Sequence, residues 1–260
     1  MTLYVILSAA LITLGIGSVR GRRWAWALTI VANAAAVAFG LLVAPFLVWM
    51  VSRFLAAEPS LSGHGHSFGW VVLAPLVLIL FLMILLPLAF VLFYARRDVR
   101  ATVERLDPEP GWTDRRPLPV VAAAVLFGSM GVGWLSALWT PVIPVPGAIL
   151  TGDTARAVVL AVALGCVAIG WGLYRGARGA WLAGLVLSIA GAAFWLWTLR
   201  DLDLPALQRA MGASDEELAV MRRIDLRPGL LPLTVGAAAV WTGFLFWVRR
   251  FLTRDPPVSR

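Results

Sequence analysis

The sequence has no lysine: all 22 of its basic residues are arginine. That usage is what a GC-rich coding sequence produces, so the expected location is a bacterial inner membrane. A single cysteine, Cys166, excludes any intramolecular disulfide. It lies in an apolar run and reads as a small packing residue. Histidine is nearly as scarce. His64 and His66 are the whole supply, in the stretch SGHGHSFG, with Glu58 the nearest acid before them. A structural zinc site takes four ligands, so this stretch falls short of one. No third partner stands near the pair to complete a Ser/His/Asp set. Charge is also missing where it would matter most. An ionisable group inside a transmembrane segment marks a functional site by default, and the interiors of the apolar runs hold no Asp, Glu, His or Arg. These absences leave no expected catalytic residue, metal or cofactor.

What the sequence has in excess is apolar residues, 60% of its 260 positions, against about 45–50% in soluble domains. They fall into seven runs, at roughly 3–19, 24–51, 68–95, 118–139, 155–174, 180–199 and 230–248. A helix needs about 20 apolar residues to span a bilayer. The expected fold is therefore an all-α, polytopic helical membrane protein with about seven transmembrane helices. The second and third runs are long enough to tilt or overhang, and Pro45, Pro75 and Pro87 lie in them as kink sites.

Arginine placement sets the expected orientation. With the N-terminus outside and the C-terminus in the cytoplasm, the inner segments hold 15 of the 22 arginines and 6 of the 14 acids. Short segments beside helices are where the positive-inside bias operates. The same bordering pattern explains the net charge of +8 without a nucleic-acid partner. The first run carries its positive charge after the apolar stretch, the reverse of a cleaved signal peptide, so it is expected to remain as the first helix.

One stretch is used twice. Residues 15–26 read GIGSVRGRRWAW and residues 170–181 read GWGLYRGARGAW. At an offset of 155, Gly15, Gly17, Arg20, Gly21, Arg23, Ala25 and Trp26 meet Gly170, Gly172, Arg175, Gly176, Arg178, Ala180 and Trp181. Apolar matches are cheap in such a chain, but a Gly/Arg/Trp set is not. The endings LFYARR at 92–97 and LFWVRR at 245–250 add a weaker match. The reading is an internal duplication in a 3+1+3 layout. Repeat unit one is 1–97, the linking helix 118–139 and repeat unit two 155–250. A single inverting helix between two three-helix units gives them parallel orientation, related by a pseudo-twofold along the membrane normal. This layout resembles, in architecture alone, the small sugar-transporting SWEET proteins.

Each copy is a tight turn between apolar runs. Arg20, Arg23, Arg175 and Arg178 are expected at lipid phosphates. Trp26 and Trp181 are expected at the interface, with their indole N–H groups toward headgroups. The small residues of the linking helix, from Ala122 to Ser136, are expected to let helix backbones approach closely. The 96–117 segment reads as a solvated connector in which Asp98–Leu106 extends the third helix and Trp112 docks at the interface. The stretch TPVIPVPG at 140–147 reads as an extended cap or shallow re-entrant segment. The 200–229 segment reads as an extracytoplasmic helical flap: a short helix at 205–211 closed by Gly212, then a second opened by the capping box Ser214-x-x-Glu217.

At depth the polar residues are few. Asn33 and its repeat partner Ser188 either line a path or form interhelical hydrogen bonds. The expected function is a non-catalytic scaffold or accessory subunit of a membrane assembly. The alternative is a transporter of a small uncharged solute, with its path between the two repeats. Expected partners are the bilayer with its anionic headgroups, and a membrane protein or a second copy of this chain.

Overall fold

The computed structural model describes residues 2–57, 66–214 and 226–252. Helix α1 spans Thr2–Val19 and α2 Arg23–Ala57. Helix α3, His66–Leu80, continues through a π-turn, Phe81–Leu85, into α4, Leu86–Tyr94. Helix α5 is Arg97–Leu106, α6 Leu118–Leu135, α7 Gly152–Tyr174 and α8 Arg178–Asp201. A short α9, Leu204–Ala210, and α10, Arg227–Leu252, complete the described chain.

Six of these segments are long and apolar enough to cross a bilayer: Arg23–Arg53, Leu73–Tyr94, Leu118–Leu138, Gly152–Tyr174, Arg178–Asp201 and Arg227–Leu252. The first of the seven expected runs is helical, but its apolar stretch, Ser8–Val19, is shorter. At 35 residues α2 is about 52 Å long, so it overhangs a hydrocarbon core of about 30 Å.

Proline shapes the α3–α4 span. Pro87 offers no N–H and its ring crowds the carbonyl four residues back, that of Met83. The helix relaxes into a π-turn, with the Leu86 N–H bonded to the Phe81 carbonyl five residues earlier. The Met83 carbonyl lies against α2 at Gly40, where a Cβ would stand 2.8 Å from its oxygen.

The most intimate pair is α6 against α7. A Cβ on Gly131 would lie 2.7 Å from the Ala163 carbonyl, and one on Gly170 2.7 Å from the Ala124 carbonyl. This is the close approach expected of the linking helix. Around it gathers a core of Val120, Ala123, Phe127, Cys166, Leu173, Leu185, Leu245 and Val248. Cys166 is buried there as a packing residue.

Three connections depart from expectation. Asp98–Leu106 does not extend the third helix. Arg96 is extended at φ −65°, ψ 140°, so Arg97–Leu106 forms a separate amphipathic helix with Val103 buried. The 140–147 stretch, expected as extended chain, is more ordered than that. It enters a hairpin in which β1, Val142–Val145, pairs antiparallel with β2, Ala148–Thr151. Pro146 and Gly147, the latter at φ 74°, supply its two-residue turn. Third, the 107–116 connector is docked on the bundle, as its contacts below establish. In the flap, Asp203 caps α9 through the Ala206 N–H, and Gly212 closes it at φ 91°. Apart from Ser214, the capping box and the second helix it is expected to open lie outside the described residues.

Candidate functional site

The polar side chains concentrate at one end of the bundle, where the two Gly/Arg/Trp turns lie. Each turn closes a helix in the same way. Gly21 N–H donates to Ser18 O at 3.0 Å and Arg22 N–H to Gly17 O at 2.9 Å. Gly176 N–H donates to Leu173 O and Ala177 N–H to Gly172 O, both at 2.9 Å. This paired bonding needs a left-handed residue after the helix, and Gly21 and Gly176 supply it at φ 64° and 79°. The chain then folds back so tightly that a Cβ on Gly17 would sit 2.7 Å from the Ala25 Cβ. One on Gly172 would sit 2.5 Å from the Ala180 Cβ. Gly17 and Gly172, with Ala25 and Ala180, therefore match for a steric reason, whereas nothing lies within 4 Å of the Cβ position at Gly15.

The matched tryptophans are fasteners. Trp26 Nε1–H donates to the Tyr94 carbonyl at 2.9 Å, and Trp181 Nε1–H to the Leu245 carbonyl at 2.8 Å. Each indole N–H thus ties the helix it begins to another helix that ends toward the same face. A guanidinium lies over each ring, Arg100 at 5.8 Å from Trp26 and Arg249 at 5.2 Å from Trp181.

The connector joins the two turns. On the first, Asp107 accepts from the Arg23 N–H at 3.0 Å and from the Arg22 guanidinium at 3.2 Å. The Arg23 guanidinium donates to the Asp107 carbonyl and lies 3.9 Å from Asp114. Leu106 covers Gly21. On the second, Arg116 donates to the Arg175 carbonyl at 2.6 Å and covers Gly176. Tyr174 OH donates to the Trp112 carbonyl at 3.1 Å, with the two rings edge to face. Asp114 also accepts from Gly111 N–H at 2.8 Å and so closes the connector's own turn. The Arg23 N–H bond, at the positive end of α2, is the main cause holding the Asp107 carboxyl below the usual carboxylate range. Burial opposes it, and Arg22 and the charge of Arg23 assist it. Thr113 is buried in this clasp, its hydroxyl without a hydrogen-bond partner.

The expected site residues are thereby separated in kind. Arg23, Trp26 and Trp181 are engaged within the protein, and Arg175 lies over Trp171 at 5.0 Å. Arg20 and Arg178 are exposed. Asn33 donates to the Thr29 carbonyl of its own helix at 2.8 Å. Ser188 donates to the Gly184 carbonyl and accepts from Trp241 Nε1–H at 2.9 Å, an interhelical bond between α8 and α10. No hydrogen bond joins Asn33 to Ser188 among the described residues. Glu58 and His64 lie outside those residues, and of His66 only the backbone is described. No group of three His, Cys, Asp or Glu side chains gathers among the described residues.

Sequence reading missed the connector as the centre of this face. The available signal was Asp107 and Asp114, two acids in a short segment expected on the same side as both arginine turns.

The six apolar spans define a multi-pass helical membrane protein. No protein-family model, curated protein or solved structure matches the chain.

Proposed function

We propose that the chain is a non-catalytic scaffold or accessory subunit of a membrane assembly. The observation that carries this reading is how unevenly the spans are covered. In α6 and α7, 33% of the apolar window is buried within the chain, whereas α2, Leu73–Tyr94 and α10 each bury 6%. In lipid such faces gain by packing against another helix. The polar side chains beside them, Asn33, Ser188 and Trp241, are already committed within the chain. Native mass spectrometry after gentle extraction tests the reading. A stoichiometric second polypeptide or second copy is expected, and a bare monomer rejects it.

A second reading is a carrier for a small uncharged solute, built as two parallel three-helix units around α6. The equivalence of the two turns favours it, as do the paired contacts of α2 with α4 and α8 with α10. It expects Asn33→Leu to abolish uptake into proteoliposomes at unchanged expression. Because Asn33, among the described residues, bonds only its own helix, that change orphans no described group on a neighbour, and undiminished uptake rejects the carrier. In both readings the turn end, rich in arginine, faces the cytoplasm. A membrane-impermeant thiol reagent then labels Thr140→Cys in intact cells and spares Glu109→Cys; the reverse pattern rejects the orientation.

A further inference from the structure

The two similar stretches LFYARR and LFWVRR differ two residues before they begin. Aligning LFYARR with LFWVRR places Phe90 of α4 opposite Gly243 of α10. The Phe90 ring packs on Tyr94, with centroids 6.4 Å apart. At Gly243 nothing lies within 4 Å of the Cβ position. A groove of about 530 Å³ opens there, lined by Gly243, Phe246, Trp247, Arg249 and Arg250. Its wall is braced. Trp247 touches Phe244 at 6.1 Å and Phe251 at 5.1 Å, and Arg249 rests over Trp181. Phe246 and Trp247 remain 49% and 45% exposed.

The charge around this groove is also unlike that at the first turn. There, Asp107 and Asp114 answer Arg22 and Arg23. Among the described residues no acid lines the groove, and Arg249 and Arg250 form no ion pair. Apolar rings on the bilayer side and two guanidinium groups at the end match an amphiphile with an anionic head.

We infer that this groove seats one anionic phospholipid. Its phosphate lies against Arg249 and Arg250, and an acyl chain runs past Gly243 between Phe246 and Trp247. Charge complementarity selects the headgroup, and the missing side chain at 243 makes room for the chain. The inference needs only that α10 crosses a bilayer, so it stands apart from the subunit and carrier readings.

The test is native mass spectrometry of the full-length protein in detergent, titrated with phosphatidylglycerol or with phosphatidylcholine of the same acyl chains. Each basic residue near an anionic headgroup contributes about fivefold. One phosphatidylglycerol should therefore bind with a preference of roughly ten- to thirtyfold. Gly243→Phe, which copies the first half, should reduce that preference to near parity. Arg249→Gln with Arg250→Gln, at exposed positions, should do the same if the bulkier variant fails to fold. Millimolar inorganic phosphate should leave the bound lipid in place. Equal binding of the two lipids, a Gly243→Phe protein that keeps the preference, or displacement by phosphate would each overturn the inference.

Discussion

Replacing Gly170 by alanine tests whether backbone contact between α6 and α7 holds the bundle together. The added Cβ would stand 2.7 Å from the Ala124 carbonyl oxygen and 3.1 Å from the Gly128 nitrogen. Both are backbone atoms, so no flexible side chain can give way. Ordinary contact begins near 3.4 Å, which leaves the helices about 0.7 Å too close. Overpacking of this kind costs about 1–3 kcal/mol. In lipid no hydrophobic force between helices offsets a poorer fit. Gly165, in the same helix, is the control, because nothing lies within 4 Å of its Cβ position. Both changes are glycine to alanine in α7, so helix propensity cancels in their difference. The assay is reversible unfolding in mixed micelles, titrated with dodecyl sulfate and followed by circular dichroism. Gly170→Ala is expected to be about 1–3 kcal/mol less stable than Gly165→Ala. Gly131→Ala, which meets the Ala163 carbonyl at 2.7 Å, should behave like Gly170→Ala. The two together should cost less than their sum, since one separation relieves both. Equal stability of Gly170→Ala and Gly165→Ala would refute the argument.

The clasp makes a pH prediction. The Asp107 carboxyl is held below its ordinary range in the folded protein, so its contribution is complete above the unfolded value of about 3.9. It is lost as pH falls through the folded value. Asp107→Asn should therefore lower the melting temperature at pH 7, and acidification below about pH 4 should narrow the gap to the parent; a gap that widens there contradicts the assignment. Thr113→Val removes a buried hydroxyl that has no partner, and should leave stability unchanged or raise it by about 1 kcal/mol in the same unfolding assay. Trp181→Phe deletes the bond to the Leu245 carbonyl and should cost about 0.5–1.5 kcal/mol, whereas an equally stable variant would show that this bond adds nothing to the hold of α8 on α10. Gly176→Ala forces a side chain into a left-handed residue at φ 79°, with Arg116 at 3.0 Å, and should cost at least about 1 kcal/mol.

The turns were legible residue by residue because their chemistry is local. Gly21 and Gly176 answer a backbone need within six residues of chain, and Arg and Trp beside them mark an interface in any helical membrane protein. What those residues contact was not legible. Arg23 and Asp107 are 84 positions apart, and Trp181 reaches a carbonyl 64 positions away. A reading based on neighbours and periodicity assigned such groups to the nearest abundant partner, the lipid headgroup. The hairpin at 142–151 was obscured for a related reason. Its prolines excluded helix correctly, but strand pairing depends on β2, whose residues Ala148–Thr151 carry no strong signal of their own.

The sequence by itself determined that the chain is a bundle of bilayer-spanning helices, and where most of them begin and end. Apolar run length and flanking charge are properties of single segments, and lipid leaves a segment of that kind little alternative to helix. It also determined the two tight turns, through glycine. Tertiary structure alone decided that α6 and α7 pack backbone to backbone, that the 107–116 connector clasps both turns, and that a groove opens at Gly243. Those outcomes depend on which surfaces meet. In a chain where nearly every span is apolar on all sides, hydrophobicity does not choose between partners; shape and a few distant hydrogen bonds do.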